Sequence, residues 1–328
     1  MKNYFFNYLL LLSPMMLISG PFLPDLSACI LGIFAIYALI KKNFKISNDL
    51  KKIFFLFLLF NLYIILRSVF SENPLLSFES SLFYFRFLFF SLAIVYIYFS
   101  NEKIIYNFSL IALLSILLLS VDSIFEYILG FRLVGDISPG SSYGRISSFF
   151  EGELIMGSFI SKMLPFVIIF LHIRYLKNSI PEKFKLFLFF LIILIILFTV
   201  YLSGERTALF NTLILVTILI FSVPNFKFIH KLLIVLTCYS LIAISLFSIK
   251  NSQFDRLIEN TYVQLFDSKE KNFNFFSVHH EAHFKSAISM FKSNIIFGHG
   301  AKMFRQLCSD NEHKYIITKT QQVKKAET

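Results

Sequence analysis

The chain has 328 residues, of which 56% are hydrophobic and only 16% charged, with 44 Phe and no Trp. A soluble domain carries about 25% charged residues, so this composition excludes an ordinary water-soluble enzyme. The net charge of +11 does not make it a nucleic-acid binder, because the Lys and Arg residues sit in short connecting stretches and in a C-terminal tail rather than along one surface.

Apolar runs near 20 residues recur along the chain, and each is long enough to cross about 30 Å of hydrocarbon as a helix. Spans are expected at 4–20, 23–40, 53–70, 79–99, 104–128, 153–171, 186–202, 207–223 and 232–249, with a tight Gly20-Pro21 turn after the first and an open loop over 71–78. Residues 1–249 therefore read as a transmembrane helical domain, and 250–328 as a polar segment outside the membrane. Lys2 precedes an apolar run, but Pro14, Pro21 and Pro24 replace a small-residue cleavage site, so the first helix is expected to be retained. Cys29, Cys238 and Cys308 form neither a disulfide framework nor a metal-ligand spacing.

Orientation follows from the Lys and Arg count in short loops. With the N-terminus in the cytoplasm, the inner segments hold thirteen basic residues and the outer loops three, Arg132, Arg145 and Arg206. The C-terminal segment then lies outside, which in a bacterium with two membranes is the periplasm, and the protein belongs to the inner membrane.

Within that topology, Leu202-Ser203-Gly204-Glu205-Arg206-Thr207-Ala208 stands between two spans. An ionisable pair at the edge of hydrocarbon is a candidate site; the plainer reading is an exposed hairpin with a weak ion pair. Arg145 lies on the same side, and Arg67 and Arg86 lie near the outer ends of their spans. Arginines suit bidentate contact with phosphate, so four of them on one membrane face point to an anionic head group; for Arg67 and Arg86 the alternative is snorkelling. In the tail, Ser277 is placed to cap a helix over 278–293, Gly298-His299-Gly300 to break it, and 301–308 to form a second short helix, with disorder expected beyond 309. Both helices are expected to pack on the spans as a cap. His279, His280, Glu281 and His283 fall short of the zinc-protease spacing, so neither a metal nor another cofactor is expected.

Three stretches carry a family resemblance. Gly144-Arg145-Ile146-Ser147-Ser148-Phe149-Phe150, followed by Glu153 to Phe159, resembles the outer loop and next helix start of bacterial O-antigen ligase-like proteins. Leu202 to Ala208 resembles that family's Ser-Gly-x-Arg loop, and Phe297-Gly298-His299-Gly300 with Phe304 its Gly-x-Gly turn. The resemblance implies an all-α polytopic membrane protein of the glycosyltransferase C type. It implies transfer of a glycan from an undecaprenyl diphosphate carrier to a hydroxyl on lipid A-core or on a growing chain, without a metal. Arg206, Arg145, Arg67 and Arg86 would hold the diphosphate, Glu205 would support Arg206, and His299 or His313 would assist the acceptor hydroxyl. The family's downstream His-x-His-Asn pattern and later spans do not appear before Thr328, so a truncated and inactive member is one alternative. A flippase or transporter for lipid-linked or anionic substrates is the other, although its expected internal repeats are not evident.

Overall fold

The computed structural model describes residues 4–41, 47–101, 103–133, 145–150, 153–176, 182–222, 227–248, 257, 262 and 278–308. The described residues are overwhelmingly helical. The helices are α1 (Tyr4–Leu11), α2 (Ser13–Ile18), α3 (Phe22–Ile40), α4 (Asn48–Val69), α5 (Pro74–Ser81), α6 (Phe85–Ser100), α7 (Lys103–Leu129), α8 (Met156–Leu176), α9 (Glu182–Leu202), α10 (Arg206–Ser222), α11 (Phe228–Ser248), α12 (Val278–Ser293) and α13 (Met303–Leu307). Short 3₁₀ turns join α5 to α6 at Leu82–Tyr84 and stand at Ser148–Phe150. Among the described residues, four helical segments are long and apolar enough to cross a membrane: Phe22–Ile40, Asn48–Val69, Pro74–Ser100 and Lys103–Leu129. Four shorter apolar helices follow, at Met156–Leu171, Leu188–Leu202, Arg206–Ser222 and Lys231–Ser240.

Two segments differ from the sequence expectation, each for a local reason. The first apolar run is divided at Leu12, where a new helix starts with Pro14 near its N-terminus. The stretch 71–78, expected as an open loop, is largely helical. Asn73 caps α5 by accepting the Leu76 N–H on its side chain at 3.2 Å, and Pro74 takes the first helical position, where its missing N–H costs nothing.

The chain divides into two compact units, one of Met1–Ser27 with Ile97–Asn260 and the other of Ala28–Tyr96 with Thr261–Thr328. In the first, α7, α8, α9 and α10 share a core that includes Leu119, Ile160, Leu164, Ile193, Val200 and Val216. Lipid gives these helices little hydrophobic reason to associate, so close approach across small residues must do the work. Ala112, Ser115, Ser120 and Ser123 supply it on α7, and the three serines satisfy their hydroxyls on Ile111, Ile116 and Leu119 carbonyls one turn back.

The second unit contains α4, α5, α12 and α13. Only 11% of the spanning window of α4 is buried, so most of this helix presents Leu62, Leu66 and Phe70 outward. A buried serine cluster locks α4 to α5. Ser68 Oγ and Ser81 Oγ lie 2.8 Å apart, and Ser77 Oγ donates to Ser68 Oγ at 2.9 Å.

Candidate functional site

The residues singled out above gather in two places, one in each unit. The first is the N-terminus of α8. A helix start leaves its first N–H groups without intrahelical partners, and here Glu205 answers them from another part of the chain. Its Oε1 accepts the Gly157 N–H at 2.8 Å, and its Oε2 accepts the Ser158 N–H at 3.2 Å and the Ser158 hydroxyl at 2.5 Å. A carboxylate at a helix N-terminus is also favoured by the helix dipole. Glu205 thus joins the 202–208 stretch to α8, and its two oxygens are engaged there rather than on Arg206.

Glycine at 157 is what lets the two segments meet. A Cβ there would run into Ser203 Oγ and come within 3.0 Å of Ala208 Cβ. Gly204 turns the chain with φ of 63°, a left-handed conformation that glycine adopts at little cost.

Arg145 reaches the same place, donating from Nη2 to the Leu154 carbonyl at 2.5 Å, three residues before Gly157. Arg206 is the first residue of α10, whose first turn holds no acid. A cation at that position adds to the positive helix end instead of offsetting it, an arrangement that favours an anion nearby.

Two further acids hold this region, and the sequence reading passed over them. Asp122 and Glu126, four residues apart on α7, are 0% and 1% exposed. Asp122 accepts the Leu133 N–H at 2.8 Å and the Ser148 hydroxyl at 2.6 Å. Glu126 accepts the Ser148 N–H at 2.8 Å and the Ser147 N–H at 3.5 Å. Buried Arg132 donates to the Ser148 carbonyl at 3.5 Å. Ser148 itself sits at φ of 52°, uncommon for a residue with a side chain. The readable signal was two carboxylates one turn apart in an otherwise apolar span, where ionisable groups are costly and therefore purposeful.

The second place is the Gly298-His299-Gly300 turn. Arg67 donates from Nε and Nη2 to the Gly298 carbonyl at 2.9 and 2.6 Å, and from Nε to the Phe297 carbonyl at 3.1 Å. Its Nη1 donates to Phe70 at 2.5 Å, and the Tyr63 hydroxyl donates to Phe297 at 2.9 Å. Gly298 and Gly300 have φ of 64° and 106°, and a Cβ on Gly300 would lie 2.9 Å from Ser71 Cβ. Lys302 Nζ then pairs with Glu79 at 2.7 Å, both side chains well exposed.

Within this turn His299 Nε2 lies 2.9 Å from the Met290 carbonyl and 2.9 Å from Ser293 Oγ. A carbonyl only accepts, so Nε2 carries a proton and a neutral ring keeps its basic lone pair on Nδ1. Arg86, on the first turn of α6, places its guanidinium 4.8 Å from the centre of the Phe87 ring. His313 lies outside the described residues, as do the side chains of His279 and His280; α12 does begin at Val278, as the sequence suggested.

Spanning helices with charged and glycine-bearing loops packed at their ends define a polytopic helical membrane protein. Residues 190–325 match the family model described as O-antigen ligase, so that part of the chain is similar to this family. The matched region holds the 202–208 loop and the Gly298–Gly300 turn, while the Arg145 loop lies before it. Neither the curated proteins nor the solved structures contain a significant match.

Proposed function

We propose that this protein transfers a glycan from undecaprenyl diphosphate to an acceptor hydroxyl, as an O-antigen ligase or polymerase acting on the periplasmic face of the inner membrane. The nine-span topology with a cytoplasmic N-terminus belongs to this reading, and lipid A-core or a growing glycan chain is the acceptor. The observation that carries it is Arg206 at the N-terminus of α10, inside the family match and beside the Arg145 loop at the start of α8.

The chemistry needs such a cation. As the acceptor oxygen attacks the anomeric carbon, the bond from that carbon to the diphosphate oxygen breaks and negative charge grows on the leaving group. Fixed cations at that charge stabilise the transition state more than the ground state. Arg206 takes that role, with Arg145 beside it. Glu205 fixes the loop through α8 and so supports Arg206 indirectly. On the sequence resemblance alone, His299 is the residue assigned to take up the acceptor's proton. Arg67 sits behind the His299 turn, holding its carbonyls.

The test is transfer of sugar from a synthetic lipid diphosphate donor by the purified protein. Arg206→Ala is expected to lower the rate by about 10²–10³, the size of losing one preorganised charge contact. Lys231→Ala, whose ammonium only donates to the Phe221 carbonyl, should leave it unchanged. Equal activity in wild type and Arg206→Ala would remove the site; no transfer by the wild type would remove the reading.

A further inference from the structure

α12 has two apolar sides. Met290, 6% exposed, packs inward with Met303 and Leu307. On the opposite side Phe284, Ile288 and Phe291 recur at helical spacing and are 50%, 52% and 59% exposed. The stripe continues past the helix end through Ile295, Ile296 and Phe297, at 62%, 80% and 60%. Lys285, ion-paired with Glu281 at 2.5 Å, and Lys292 lie along one side of it on the same helix. A water-bathed segment would not keep six large apolar side chains in one outward row.

The depth of its end is fixed by α4. Tyr63 and Arg67 both hold the Phe297 carbonyl. Tyr63 lies six residues inside the end of this spanning helix, roughly 9 Å along its axis at ~1.5 Å per residue. An open groove of about 510 Å³ joins the two, lined by Tyr63, Leu66, Arg67, Phe70, Asn294 and Phe297. Its apolar wall is continuous with the outward face of α4, where Leu62, Leu66 and Phe70 are 44%, 61% and 77% exposed.

We infer that α12 and the turn after it form an interfacial segment, lying in the bilayer surface with the Phe284–Phe297 row among acyl chains and Lys285 and Lys292 at the level of anionic head groups. This is the pattern of a surface-bound amphipathic helix. It departs from a helix that simply caps the spans. The His299 turn is then held at the membrane surface by lipid contact as well as by Arg67. This inference does not depend on the proposed reaction.

Because the chain has no Trp, one introduced indole reports its own surroundings. The full chain is reconstituted in vesicles of phosphatidylcholine and phosphatidylglycerol, with and without brominated acyl chains. Phe291→Trp and Phe284→Trp are expected to emit at short wavelength, to lose most of their emission to brominated lipid and to resist iodide. Leu66→Trp on α4 should behave alike, and Lys52→Trp, whose site is 76% exposed before the apolar part of α4, should show the reverse. Quenching of both α12 probes by iodide alone would place the row in water and overturn the inference. Quenching by neither agent would mean that a protein surface covers the row, and would overturn it equally.

Discussion

Glu205 Oε1 accepts the backbone N–H of Gly157 at 2.8 Å, across forty-eight positions of sequence. That bond ties the start of α10 to the start of α8 and brings the Arg206 loop to the segment that holds Arg145. Glu205→Gln keeps the shape but loses the charge and one acceptor. It should destabilise the protein by about 1–2 kcal/mol, the range of a lost helix-end contact with a partly buried acid. A lowered melting temperature in detergent checks this. Glu205→Asp, too short to reach both Gly157 and Ser158, should not rescue it.

Gly157→Ala tests the same junction from the other side. The added methyl meets Ser203 Oγ and Ala208 Cβ, and overpacking of this kind costs about 1–3 kcal/mol. Pairing it with Ser203→Ala, which removes the nearest obstacle, should recover part of the loss. Thermal unfolding of the single and double variants measures the coupling, and strict additivity would show that the contact is not the cause.

Asp122→Ala should loosen the segment that carries Arg145. It strands the Leu133 N–H and the Ser148 hydroxyl, at about 1–3 kcal/mol for each buried group left unpaired. Glu126→Ala strands the Ser148 N–H in the same way. Hydrogen exchange at 145–150 is expected to rise in both variants while the interior of α9 stays protected. Unchanged exchange there would show that the two acids do not hold the turn.

Arg67→Lys keeps the charge but loses the planar fork that reaches two adjacent carbonyls. Faster exchange at 297–300 and a fall in glycan transfer are expected, with the KM for the donor changed less than kcat. A diphosphate ligand at Arg67 would give the opposite split, with KM for the donor moving first.

Gly300→Ala combines a φ of 106° with a Cβ 2.9 Å from Ser71. Strain and clash together should cost about 2–4 kcal/mol. Gly130→Ala, at φ of 77° with open space around it, carries the strain alone and should cost less. Comparing their melting temperatures separates the two terms.

Much of this could be read along the chain. The apolar runs gave the helices, because a backbone in hydrocarbon must satisfy its own hydrogen bonds and local periodicity then suffices. The helix over 278–293 and the breaks at Gly298 and Gly300 were legible for similar reasons, being local backbone chemistry. The turn at 202–208 and its arginine were visible as polar residues between two spans. What the chain order concealed was pairing. Glu205 stands next to Arg206 in sequence and so looks like its ion-pair partner, yet its oxygens serve α8. Arg67, read along the chain as a contact for phosphate, holds the Phe297 and Gly298 carbonyls beside His299. Asp122 and Glu126 went unremarked because their partners, Leu133, Ser147 and Ser148, are eleven to twenty-six positions away.

The sequence by itself determined that this is a helical membrane protein, roughly where most of its helices lie, and which family its loops resemble, since each depends on composition, hydrophobic length and short motifs. Only the tertiary structure decided what each charged side chain touches. A buried donor or acceptor must find a partner, but its identity is set by which helix ends the packing brings within about 3 Å. The stretch around Arg206 is thus a helix start clamped by Glu205 onto Gly157.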